Sequence, residues 1–175
     1  MHRAGSVVGS TLFLLLAPGT VAGLVPWWIA GWRFAPPLLG MGWVRWVGVA
    51  LMAAGAPSLL DSFARFALQG RGTPAPVLPT EHLVVTGLYR RVRNPMYVGV
   101  VTVVAGQGLL IGRPLVLAYG AALWLAFHLF VLGYEEPKLR GTFGAEYDRF
   151  CRNVPRWFPR WKPWQSDEAN YSKMV

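Results

Sequence analysis

Two adjacent carboxylates, Glu135 and Glu136, stand where a long apolar stretch ends. Carboxylates at that depth are costly unless solvated, paired or bound to a cation. A second polar group, Arg93-Asn94-Pro95-Met96-Tyr97, opens another apolar stretch and follows Arg90 and Arg91. Only Gly112 and Arg113 separate the two stretches. So tight a link predicts an antiparallel helical hairpin, in which the start of one helix meets the end of the other. The Arg93–Tyr97 group and the glutamate pair therefore face each other across one pocket mouth. On residue types alone, an equally direct reading has Arg90, Arg91 and Arg93 anchored to headgroups while the glutamates neutralise them.

Other familiar chemistries lack their residues. Gly106-Gln107-Gly108 followed by Gly112 is one residue off a dinucleotide fingerprint and lies inside an apolar run with no strand before it. His2, His82 and His128 have no ligand-like spacing to one another or to Cys151, so no metal is expected. No serine sits in a nucleophile elbow. A single cysteine excludes an internal disulfide, and Cys151 reads as a packed or lipid-facing thiol.

The elements that must position these groups read as membrane helices. Apolar residues make up 54% of the 175 and charged residues only 14%, against roughly 25% charged in a soluble domain. Apolar stretches run from about Val7 to Trp32, Trp43 to Leu60, Met96 to Ile111 and Pro114 to Tyr134. A span needs about 20 mostly apolar residues, so the second and third are short. The start resembles a secretory signal, yet apolar character continues through Leu24 to Trp32, which favours a retained helix kinked at Pro18 and Pro26. Gly48 and Gly55 are seven apart, as are Gly99 and Gly106, and Ala118, Ala122 and Ala126 repeat every four. Such small-residue faces suit close helix packing. Gln69 to Gly87 reads as an extended loop. Leu139, Phe143, Tyr147 and Phe150 mark an amphipathic helix against the membrane or over the bundle. The expected fold is thus all-α: an integral membrane bundle of about four transmembrane helices with a C-terminal amphipathic helix. It divides into N-terminal spans (1–66), a loop, hairpin and C-terminal helix forming the core (67–159), and a tail (160–175).

The net charge of +9 sits at the ends of apolar runs, the distribution expected of headgroup contact rather than nucleic acid binding. With the N-terminus inside, fourteen basic residues fall on inner segments and three (Arg33, Arg45, Arg113) on outer ones. That bias places both termini and the polar site in the cytoplasm.

Gly87-Leu88-Tyr89, Arg93-Asn94-Pro95-Met96-Tyr97-Val98-Gly99, Glu135-Glu136, Phe143-Gly144-Ala145-Glu146-Tyr147 and Val154-Pro155-Arg156 together resemble the isoprenylcysteine carboxyl methyltransferase and phospholipid methyltransferase superfamily. The likeness covers about Gly72 to Pro159. It implies a membrane-embedded enzyme moving a methyl group from S-adenosylmethionine to a lipid or lipophilic acceptor, a phospholipid amine or an isoprenylcysteine-like group. By that resemblance the cofactor is contacted by Glu81, His82, Leu83, Val84, Tyr89, Asn94, Pro95, Met96, Tyr97 and Glu135, with the amphipathic helix closing over it. Asn94 stands where the family often has His, and resembles the phospholipid branch. Carboxyl methyltransferases carry an Arg where this chain has Val131, so a prenylcysteine carboxylate would lack its expected counter-ion.

The implied reaction suits such a site, because in-line displacement at a sulfonium mainly demands positioning. The acceptor would enter sideways from the bilayer. Glu136, Tyr97 and His128, with Glu135 beside them, are the candidates to take its proton. A reductase of sterol-like lipids using NADPH has a similar Asn/His-Pro and Phe-Gly-x-Glu-Tyr pattern but resembles a longer bundle. A non-catalytic membrane module is the third reading. The acceptor, the atom methylated and the oligomeric state stay open.

Overall fold

Apolar runs whose polar residues gather at their ends favour helices, which pair every backbone group within one segment. The computed structural model describes residues 16–31, 33–69, 83 and 85–165, with side chains at all but 63 and 66–69. Among these residues helix is the regular structure and there is no strand. We label the helices α1 (Leu16–Ala30), α2 (Trp43–Gln69), α3 (Pro95–Ile111), α4 (Pro114–Phe130), α5 (Glu136–Phe143) and α6 (Ala145–Asn153).

Two helices are long and apolar enough to cross a membrane: Trp43–Ser62 within α2, and the continuous Pro114–Phe143 formed by α4 and α5. Only 17% of the 18-residue apolar window in each is buried within the protein, which leaves most of these apolar surfaces facing outward. The sequence predicts four spans. Among the described residues α3 falls short at 17 residues, and α1 is described only from Leu16.

Boundaries also shift. The second stretch is predicted to end near Leu60, yet α2 continues through Pro57 to Gln69. Ser58 donates to the Pro95 carbonyl at 3.0 Å, and Ser62 to the Ser58 carbonyl at 2.8 Å. These bonds and the packing on α3 hold the helix past the proline. The expected C-terminal amphipathic helix is two helices, parted at Gly144 (φ 51°, ψ −124°).

Small residues set the α2–α3 pairing, the broadest between helices. A Cβ on Gly48 would lie 2.6 Å from the Gly106 carbonyl oxygen, and one on Gly55 would lie 2.9 Å from that of Gly99. The two seven-residue spacings thus run antiparallel against each other. At the hairpin, Gly112 takes φ 78° as the left-handed cap of α3, and α4 starts with Pro114 in its first turn.

Two π turns have a common cause. Thr20–Leu24 precedes Pro26, and Val131–Glu135 precedes Pro137. Proline has no N–H and its ring crowds the preceding turn, so the helix widens there. In α1 the carbonyls of Ala22 and Val21 are those that residue 26 would bond in α or π geometry. Gln107 Nε2 donates to Ala22, and the Tyr119 hydroxyl donates to Val21 at 2.9 Å. This explains a buried glutamine in the apolar α3. Gln107→Leu is expected to lose about 1–3 kcal/mol by leaving a buried carbonyl unpaired, read as lowered thermal stability in detergent. An unchanged midpoint would refute the assignment.

Candidate functional site

The polar site forms where the start of α3, the end of α4 and the segment after α6 converge. Asn94 ends an irregular turn and Pro95 opens α3, which fixes Arg93 and Asn94 just outside the helix and Tyr97 one turn within it. From the other side, the π turn Val131–Glu135 delivers the two carboxylates.

The structure gives the adjacent glutamates different partners. Glu135 accepts a 2.9 Å hydrogen bond from the Tyr97 hydroxyl, and the Tyr97 ring stacks on Phe127 of α4 at 4.6 Å between centroids. Glu136, 6% exposed, accepts two bonds from Arg156 (Nε to Oε1 2.6 Å, Nη2 to Oε2 3.0 Å) and one from Arg93 (Nη1 to Oε1 3.0 Å). A bidentate arginine with a second guanidinium is the strong form of carboxylate pairing. The bond to Glu136 raises the Arg156 pKa further, so this cation is permanent.

Residues 154–165 form a strap across the site. The Arg93 N–H donates to the Pro155 carbonyl at 2.9 Å, and Asn94 Nδ2 to the Arg156 carbonyl at 3.2 Å. The strap's own N–H groups at Arg160 and Trp164 donate to the carbonyls of Arg91 and Arg90 at 2.9 and 2.8 Å. Residues 160–165, placed in a tail by the sequence reading, are thus tied to the arginine turn. Val154 and Trp164 of the strap pack with Tyr147 and Phe150 of α6 and with Leu83 and Val85.

The remaining candidates have definite places. Tyr89 is buried and hydrogen-bonds Ser62 of α2, and burial pushes its phenol well above the usual range, so it stays protonated. Pro95 is buried with its carbonyl taken by Ser58, and Met96 is half-buried. His128 stacks on Trp124 and accepts from Trp157 Nε1 at 3.0 Å. Glu81, His82 and Val84 lie outside the described residues. Among the described residues no cluster of potential metal ligands occurs.

Sequence reasoning assigned no role to three participants: Arg156, Cys151 (whose Sγ lies 2.8 Å from Arg93 Nη1) and Trp157. The available signal for Arg156 was its place in the Val154-Pro155-Arg156 motif. Beside the site, a groove of about 470 Å³ opens between α2 and α3, lined by Ser58, Asp61, Leu88, Val98, Thr102 and Pro159 among others.

Arg93 Nε is buried without a partner, a donor available to an anionic ligand group. Glu135 and the Tyr97–Phe127 stack provide carboxylate and aromatic surfaces of the kind that suit a cationic one. The residues present therefore suit a ligand that carries both an anionic and a cationic group.

A sequence model of the phospholipid methyltransferase family matches residues 43–146. The match begins earlier than the motifs suggest, taking in α2, and stops short of the strap. No curated protein matches the chain.

Proposed function

Starting from the chain's membership of the phospholipid methyltransferase family, we propose that it is a multi-pass membrane enzyme transferring a methyl group from S-adenosylmethionine to a lipid or lipophilic acceptor. In this reading α1 and α3 complete a four-helix bundle with the two longer helices, and the site faces the cytoplasm, as the basic residues suggest. The observation that carries the proposal is the paired Tyr97 and Glu135, a carboxylate at the edge of apolar helices next to the Glu136 that the strap's Arg156 holds.

When bound, the cofactor supplies an electrophilic methyl on sulfur. The protein's task is then to position and exclude water. Glu135 would hold a cationic group of the cofactor, Arg93 Nε an anionic one, and Asn94 would keep the strap in place. The groove between α2 and α3 offers apolar walls for an acceptor chain, with Val98 next to Tyr97 in sequence. Glu136 is occupied by two arginines and His128 by Trp157. An acceptor proton would then pass to Glu135 through the Tyr97 hydroxyl, which donates to that carboxylate and takes the new proton as it hands on its own.

Calorimetry with purified full-length protein in detergent is the test, with NADPH run alongside S-adenosylmethionine. Glu135→Gln removes a charged contact worth about 1.5–3 kcal/mol, so affinity for S-adenosylmethionine is expected to fall about tenfold to a hundredfold while thermal stability is kept. Unchanged affinity would remove Glu135 from the site, and binding of NADPH alone would overturn the reading.

A further inference from the structure

From Arg149 to Gln165 the chain carries no acidic residue, but five basic and five aromatic ones. The strap sorts them onto two faces. Inward, Val154 is buried, Arg156 holds Glu136 and Trp157 bonds His128. Outward, Phe158 is 85% and Trp161 92% exposed, and Lys162, next to Trp161 in the chain, and Arg152, in the last turn of α6, are exposed as well. The outward face is not a loose coil. Arg91 donates to the Trp161 carbonyl at 2.5 Å and Arg90 to that of Trp164 at 2.5 Å, while Arg160 donates to the Asn153 carbonyl at 2.6 Å. These bonds hold two large rings out of the protein's own core. They do so at the end of the bundle where α5 leaves the apolar region.

We propose that this face docks on an anionic leaflet. Phe158 and Trp161 enter the boundary between headgroups and acyl chains, and Arg152, Arg160 and Lys162 contact lipid phosphates. Charge decides the occupant: a second copy would oppose basic residues to basic residues, whereas anionic headgroups complement them. The aromatic rings have the amphipathic character of interfacial anchors. The inference stands apart from the proposed reaction, since it needs neither cofactor nor acceptor.

Cys151 is the sole cysteine, so Cys151→Ser with Trp161→Cys gives one attachment point for a nitroxide label. Full-length protein is reconstituted in vesicles of phosphatidylcholine with phosphatidylglycerol, and collisions with oxygen and with a water-soluble nickel chelate are compared. Oxygen collisions are expected to exceed chelate collisions several-fold, and the excess shrinks in vesicles of phosphatidylcholine alone. Wild-type protein supplies a control for folding: lipids brominated near the headgroup quench its tryptophan fluorescence, and Trp161→Phe loses part of that quenching. A label at 161 as open to the chelate as one at exposed Glu146 would overturn the proposal. So would spin–spin broadening between copies, which would assign the face to self-association.

Discussion

Glu136→Ala is expected to be among the most damaging substitutions in this protein. It leaves Arg93, 11% exposed, and Arg156, 29% exposed, without their shared carboxylate. Removing one partner of a buried ion pair costs about 3–5 kcal/mol, because the remaining charge stays desolvated. Arg156 can turn toward water, so the loss belongs mainly to Arg93 and lies toward the lower end. The strap then loses its ion pair and keeps the hydrogen bonds at Arg90, Arg91, Arg93, Asn94 and His128, and cofactor affinity is expected to fall with stability. Denaturant unfolding of the purified protein measures the first effect and calorimetry the second. In a double-mutant cycle with Arg156→Gln, the two losses should be strongly non-additive. Additive losses would show that the three side chains do not act as a unit.

Gly106→Val should separate the two helices that support the site. Its Cβ would lie 2.7 Å from the Gly48 carbonyl oxygen and 3.0 Å from the Met52 amide nitrogen. Both are backbone atoms, so no rotamer change relieves the overlap. Overpacking costs about 1–3 kcal/mol where side chains can move, and here whole helices must. The expected result is a loss above that range, or failure to recover folded protein in detergent. Gly23→Ala is the control, since a Cβ there meets nothing within 4 Å, and it should leave the melting temperature within a few degrees. Equal behaviour of the two variants would dismiss the close approach of α2 and α3.

What could be read from the sequence was local geometry with one solution. The link Gly112-Arg113 forces a hairpin, so the meeting of Arg93–Tyr97 with the glutamates followed from loop length. The matching glycine intervals in α2 and α3 marked a contact, although which glycine faces which required the structure. Three things were hidden for physical reasons. The apolar run ends near Leu60, yet tertiary packing carries α2 past Pro57 to Gln69. Glu135 and Glu136 look equivalent because the widened turn that sends them to different partners arises from Pro137, two residues on. Arg156 looks like one more basic residue, since its partner lies twenty positions earlier on another element.

The strap has a consequence for how the protein is made. A chain emerges in order, so α2 through α5 can be placed before Arg156 and Trp164 leave the ribosome. Until then Glu136 has at most one of its two arginines, and the carbonyls of Arg90 and Arg91 lack the N–H groups of Trp164 and Arg160. The site is therefore finished by the segment synthesised after its helices. A chain truncated before Pro155 holds the helices with their polar end still open.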